Sequence, residues 1–428
     1  MRSLVASFLA ILGTADARQS PDAHRESGVA THAASSAVAG PVQGSSRSLN
    51  VLDHGVVGDG VTDDAPAIRR IFQNASGRSI LFPGNHIYLI GSNVEPRVQG
   101  IGRYPAMDDA GFIISNQSGF RVTATGAVFR VSGKIPLTVT VLIERGRNWA
   151  WQGGTFVGDR TGLQPGQENA AIGLINNNRF RVSGVRAKGF GGNGAAFVGD
   201  WNVAGQLSDL HLDGVGICFD FAFSKQLTVR NVVALGAGAT GATSGPGQVG
   251  NKCYSEINDG FYKTYNRTGV AYSETDTVTL ENVDASNFNT GVAISSGKHF
   301  RFTNLSLHDN PGTASRNIPG LGYYFYCTRG GAFGSSGSPV SDVTIAGGKV
   351  ARNGTAHKGA GLLIESCPSS GGKSVADLTA SGVTFDDNAD TAIQVKGSAI
   401  SGLHIEGNSY RGARQKIAVS DAAKALAR

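Results

Sequence analysis

The sequence predicts an all-β chain wound as a single-stranded parallel β-helix, and three observations carry that prediction. A turn column of Gly, Asn and Asp recurs through Gly184, Asp209, Asn231, Asn282, Asn304, Gly382 and Gly402, at intervals of 25, 22 and 22 residues where no insertion intervenes. A fixed period of this size marks a repeat architecture. Within the repeats, clearest over 216–237, 269–289 and 291–310, apolar and polar residues alternate, the pattern of strands with two unlike faces. Composition agrees: 61 of 428 residues are Gly and 16% are charged, the balance of many short strands joined by tight turns.

At the N-terminus, Arg2 supplies a short positive region, Leu4 to Leu12 an apolar run and Ala15-Asp16-Ala17 a cleavage-type site. This is the pattern of a secretory signal over residues 1–17, too short to cross a bilayer. A secreted or periplasmic protein without membrane association is expected. Residues 18–48, rich in Ala, Ser and Gly and without an aromatic, read as a disordered linker.

Residues 49–90 read as a cap. Asp63 or Asp64 is a good N-cap, Pro66 falls in the first helical turn, and Ala67, Ile68, Ile71 and Phe72 lie at helical spacing on one face. Gly58 and Gly60 suit a tight turn, and 79–82 a short buried strand before the turn Pro83-Gly84. Asp59, Asp63 and Asp64 are therefore expected as cap and turn residues, not as a catalytic cluster. Together, Asp53, His54, Gly55, Gly58-Asp59-Gly60, Asp63-Asp64, Ala67-Ile68, Phe82-Pro83-Gly84 and Tyr88 resemble the N-terminal cap of the pectate-lyase-like superfamily. The resemblance implies an all-β, single-stranded right-handed parallel β-helix with a short N-terminal capping helix, and proteins that cut, epimerise or bind polysaccharides. It covers the cap closely and the coils only as architecture. The carboxylate motifs of polygalacturonase-type hydrolases are absent (Asn289-Thr290-Gly291 lacks the aspartate), as is the Asp-Pro-His motif of alginate epimerases. No catalytic residue is carried over.

The coils are expected over 49–415, with 416–428 as a C-terminal cap or tail. Gly, Asn and Asp tolerate a left-handed backbone most cheaply, which explains the turn column, and stacked Asn side chains can hydrogen-bond along the axis. Alternation sends Ile217 and Phe219, Val270 and Tyr272, Val292 and Ile294, and Leu362 and Ile364 inward. It sends Cys218, Asp220, Ser273, Ser295, Cys327, Glu365 and Lys396 outward. An antiparallel sandwich would need regular hairpin turns, and Asn193-Gly194 and Asn353-Gly354 are not periodic. Cys218, Cys253, Cys327 and Cys367 permit disulfides in an exported protein without fixing their pairing; buried thiols are the alternative.

Chemistry has two candidate locations. The insertion over 236–269 turns from Gly-rich to dense in reactive groups, and Tyr254, Glu256, Asp259, Tyr262, Lys263, Tyr265 and Arg267 could line a sugar site. The outward column offers Asp220 and Glu274, whose approach depends on whether the insertion adds a coil between them. For β-elimination on a uronic-acid polymer, Arg267, Lys225 or a bound Ca²⁺ could neutralise the sugar carboxylate, and Lys263 or a nearby Tyr could take the C5 proton. For hydrolysis, Asp220 with Glu256, Asp259 or Glu274 supplies the pairs. The nine histidines form no ligand pair at metal spacing. The net charge of +6, with no Lys/Arg run, excludes a nucleic-acid binder and suits an anionic glycan. The expectation is a polysaccharide lyase acting on an acidic polymer, as monomer or homotrimer. A glycoside hydrolase of the same fold is the alternative, then a non-catalytic carbohydrate-binding or tailspike- or adhesin-like β-helix.

Overall fold

The computed structural model of the chain describes residues 48–92, 110–132, 139–158, 169–190, 194–237, 252–256, 275–294, 297–312, 319–326, 340–354, 358–366, 375–397 and 399–420. The expected signal and linker, 1–48, lie outside them except for Ser48, and so does the expected C-terminal cap or tail, 416–428, from residue 421 on; its first residues continue the strand Gln415–Val419. Every strand pairing is parallel, and the strands fall into a sheet of 21 and a sheet of 11. Each coil adds one strand to the smaller sheet, from Ala110–Ser115 to Gln415–Val419, and one or two to the larger. This is the expected parallel β-helix.

Left-handed backbone marks the corners. Gly184, Asp209, Asn231, Asn282, Asn304 and Gly382 have φ between 52° and 65°, as the turn column requires. Gly402 belongs instead to a neighbouring left-handed column with Asp377, and Gly407 takes the expected slot. The Asn ladder forms: Asn231 Nδ2 donates to Asp209 Oδ1 (2.9 Å), Asn282 Nδ2 to Asn231 Oδ1 (3.3 Å) and Asn304 Nδ2 to Asn282 Oδ1 (2.8 Å). Two further ladders are buried. Asn177, Asn202 and Ser224 run beneath one corner, and Asn310, Asn353 and Asn388 beneath another.

One apolar core fills the helix from end to end. The helix Ala65–Phe72 closes its N-terminal end, burying Ala67, Ile68, Ile71 and Phe72, with Phe72 stacked on Phe112 at 5.6 Å. Asp64 stands at the N-cap position but makes no capping bond. Its buried carboxylate accepts instead from the Val57 and Gly58 amides, and burial pushes it above the usual carboxylate range. Asp63 accepts from Ala65 and Gly91, and Asp59 from Val61 and Thr62. All three acids serve the cap's backbone, as expected.

The two sheets bury their strands differently. Strands of the larger sheet alternate buried and exposed positions. In the smaller sheet, Val139–Glu144, Ala170–Ile175 and Ala195–Asp200 are buried at every position. On its outer face Val139, Leu142, Ala170, Ile175, Ala195 and Val198 form a second apolar cluster.

Candidate functional site

Register on the smaller sheet assigns each side chain to a face. Phe197, Phe219, Val292, Tyr323 and Leu362 belong to the core column, and so do Val292 and Ile294, and Leu362 and Ile364, as expected. Ile217 does not: it packs on the outer cluster. Cys218 does the reverse and lies in the core. The strand opens on a step preceding regular alternation, and Ala171, Ala196 and Cys218 hold a tight inner position that becomes Gly322 and Gly361 further along. A Cβ at Gly322 would meet the Val350 side chain at 2.3 Å and the Gly361 carbonyl at 2.5 Å.

The outer face carries three carboxylates in four coils. Glu144 and Asp200 share one column with Ile175 between them, and Asp220 stands one strand beyond Asp200, paired in register with Val198. Glu144, Asp200 and Asp220 are 2%, 0% and 7% exposed. Asp200 and Asp220 are diagonal neighbours on one face, which sets their backbones ~7–8 Å apart. Ser115 Oγ donates to Glu144 Oε1 at 2.6 Å. Burying an ionised carboxylate costs several kcal/mol before partners offset it, so a position that only needed to pack would be served better by the Ile or Val found beside them.

The corner that follows these strands is also unusual. Asn116, Arg145, Asn176, Trp201 and Phe223 occupy it with φ of 53–55°. Asn accepts this conformation readily, whereas a bulky side chain forfeits roughly 1–2 kcal/mol there. Trp201 and Phe223 nevertheless hold it, their rings stacked at 5.9 Å and 14° beside Asp200. The Trp201 Nε1 donor is buried and has no hydrogen-bond partner among the described residues. Beneath the corner, Asn177 accepts from the Gly146 amide (3.0 Å) and Trp149 Nε1 (3.1 Å), and Asn202 Nδ2 donates to the Leu174 carbonyl (2.8 Å). These bonds fix the turn that presents Trp201.

Further along the same face the Asp220 column continues through Ser255 and Ala293 to Tyr324, three coils or ~14 Å away. Tyr324 stacks on Tyr326 at 4.4 Å and donates its hydroxyl to Glu365 Oε2 at 2.6 Å; Lys396 follows Glu365 in register.

Of the residues expected from sequence, Asp220 is thus placed on the outer face, though buried. Lys225 is not beside it; it opens the strand Lys225–Gly236 in the larger sheet, half-exposed and in register with Asp276. The insertion does add a coil: Lys252–Glu256 pairs with Ile217–Ala222 on one side and Thr290–Ile294 on the other. Tyr254 and Glu256 stand in backbone register with Phe219 and Phe221 before them and Val292 and Ile294 after them, while Ser255 is in register with Asp220. Asp259, Tyr262, Lys263, Tyr265, Arg267 and Glu274 lie outside the described residues, as do Val270, Tyr272, Ser273, Ser295, Cys327 and Cys367. Glu144, Asp200 and Trp201 were not singled out by sequence; the signal was an acid and an aromatic breaking an otherwise apolar and Asn/Gly pair of columns. Among the described residues no group of three or more His, Cys, Asp or Glu is placed to hold a metal ion, and no helix is long and apolar enough to cross a membrane.

Residues 249–426 match the family described as the right handed beta helix region. None of the curated proteins matches the sequence. Among solved structures, the A-module of a mannuronan C-5 epimerase from Azotobacter vinelandii is similar over 87% of this chain and 98% of its own, at 15% identity and a TM-score of 0.55. PfbA, a surface adhesin of Streptococcus pneumoniae, is similar over 85% of this chain and 91% of its own, at 12% identity and a TM-score of 0.50. A mutant tailspike protein of E. coli bacteriophage HK620, in complex with a hexasaccharide, gives a TM-score of 0.59 at 11% identity, over 87% of this chain and 63% of its own. At such identities the likeness is one of fold.

Proposed function

We propose, for a chain whose fold is the right-handed parallel β-helix of the pectate-lyase-like superfamily, that it is an exported enzyme cleaving a polysaccharide on the outer face of its smaller sheet. The observation that carries this is the Asp200–Asp220 pair, buried side by side next to the stacked Trp201 and Phe223. A backbone spacing of ~7–8 Å suits two carboxyl groups at the ~6.5–9.5 Å separation of inverting glycosidases. Asp200 is the deeper of the two and takes the role of proton donor in this reading. In this reading Asp200 protonates the leaving glycosidic oxygen as the C–O bond breaks. Asp220 takes a proton from the water that attacks the anomeric carbon from the opposite side. The Trp201–Phe223 stack offers a ring face to a pyranose.

β-Elimination on a uronic-acid polymer is the second reading, favoured by the cations that flank Glu144. Arg145 follows it directly, and Arg147 opens the next strand. Such groups would neutralise the sugar carboxylate and ease loss of the C5 proton. That the epimerase, the adhesin and the tailspike–hexasaccharide complex share this architecture supports a glycan ligand without choosing among reactions.

Incubation of the purified protein with a panel of acidic and neutral polysaccharides separates the readings. New reducing ends without ultraviolet absorbance of unsaturated uronates are expected. Absorbance rising with the reducing ends would move the assignment to elimination, and intact polymers across the panel would leave a binding protein.

A further inference from the structure

One flank of the N-terminal coils is an uncompensated cationic surface. Arg121, Arg147, Arg179 and Arg181 stand on three successive strands of the larger sheet, Arg121–Thr123, Arg147–Gln152 and Asn178–Ser183. Register runs Arg121 to Ala150 to Arg181, and Arg147 to Asn178 beside Arg179, so the four guanidinium groups fall within ~10 Å of backbone along the axis. All four are exposed, as are Arg186 and Lys188 on the adjoining strand. No ion pair engages any of the six among the described residues; Asp213 of the next coil stands in register with Lys188, whereas Arg121, Arg147 and Arg181 stand in register with the neutral Ser79, Ala150, Asn178 and Gln206.

The same columns are treated differently further along. Arg301 continues the Arg121–Arg181 column and is neutralised by Asp342 at 2.9 Å. Arg352 pairs with Asp309 at 2.6 Å and Lys349 with Asp386 at 3.0 Å. Leaving like charges packed on one flank opposes folding by self-repulsion, and a bound polyanion removes that repulsion.

We infer that the Arg121, Arg147, Arg179 and Arg181 facet is a docking site for a polyanionic glycan, one bearing carboxylates or sulfates along its length. Guanidinium groups take such anions bidentately, and a flat facet repeating every ~4.8 Å suits an extended chain lying along the axis. Nucleic acid is the poorer fit. The aromatics of these strands, Trp149, Trp151 and Phe180, all point into the core, leaving no platform for bases, and a flat sheet face does not enter a duplex groove. Arg145 stands at the corner between this facet and Glu144. A chain anchored on the arginines can therefore turn onto the carboxylate face. The inference rests on the glycan reading for its ligand and not on the Asp200–Asp220 chemistry.

The test is binding by isothermal titration calorimetry of the full chain to polygalacturonate, alginate, a chondroitin sulfate, neutral dextran and duplex DNA. Wild type is expected to bind at least one anionic glycan, with affinity falling as salt shortens the screening length below ~10 Å. The variant R147Q/R179Q/R181Q is expected to weaken that binding at least about tenfold while its circular dichroism stays unchanged and its Tm is kept or raised. Should the triple variant fail to fold, R121Q/R181Q reads the same facet. A D200N/D220N variant is expected to keep the binding, so loss of turnover and loss of docking are separable. Equal affinity of wild type and the arginine variants, absence of binding to every anionic glycan, or tighter binding to DNA than to any glycan would each overturn the assignment.

Discussion

The outer faces of the two sheets put charge to opposite uses. On the larger sheet, charged side chains are exposed and either pair with one another, as Arg301 with Asp342, or face solvent, as Arg181 does. On the smaller sheet, Glu144, Asp200 and Asp220 are buried within an apolar surface. An exposed charge is cheap and says little about function; a buried one is costly and persists where it does something packing cannot. The difference directs attention to the smaller sheet for chemistry and to the larger one for long-range attraction.

The comparison breaks most decisively if the buried carboxylates prove inert. Replacing Asp200 or Asp220 by Asn is expected to lower polysaccharide cleavage by about 10²–10⁴-fold while the circular dichroism spectrum of the folded chain is kept. Asp213→Asn, on the exposed face of the larger sheet, should change stability by less than about 0.5 kcal/mol and leave cleavage intact. Equal activity in all three variants would end the argument from burial.

The buried amide ladders sharpen it next. Asn353 bonds to Asn310, Asn388 and the Leu307 carbonyl, and its replacement by Ala should destabilise the chain by about 2–3 kcal/mol in urea by stranding those partners. Activity per folded molecule should survive. Asn202→Ala should cost a similar amount and also reduce activity, because Asn202 supports the Trp201 corner. A Gly322→Ala change, whose methyl would collide with Val350 and a backbone carbonyl, should destabilise by about 1–3 kcal/mol.

The smallest effect is expected from the surface pairs. The Arg352 guanidinium bonded to Asp309 holds its carboxyl down to about 2, despite partial burial, with His308 adding to the effect. A depressed carboxylate stabilises the fold above its ordinary range, and that contribution disappears as pH falls from about 4 toward about 2. Both side chains are nearly half exposed, so Arg352→Gln should lower stability at neutral pH by no more than about 1 kcal/mol. The difference from wild type should shrink as pH falls through about 2 and vanish only below it.

Much of the architecture was legible in the chain. The Gly/Asn/Asp column announced the corners because few residues tolerate φ near +55°, and it failed only where two such columns run close together, at Gly402 and Gly407. Orientation was legible in the larger sheet, where one face is wet. It was misread at Ile217 and Cys218, because a strand buried on both faces has no polar alternation to phase it. The arginine facet was hidden for another reason: its members lie scattered along the chain between residues 121 and 181 and never form a run.

Local preference and periodicity are properties of the chain itself. From them alone came the coils, the parallel winding, the capping helix and the roles of Asp59, Asp63 and Asp64. Which side chains meet across coils depends on register, and register depends on the length of every intervening turn and on the extra coil at Lys252–Glu256. Only the folded stack brings Asp200 beside Asp220, sets Trp201 on Phe223 and gathers four arginines from three strands onto one flank.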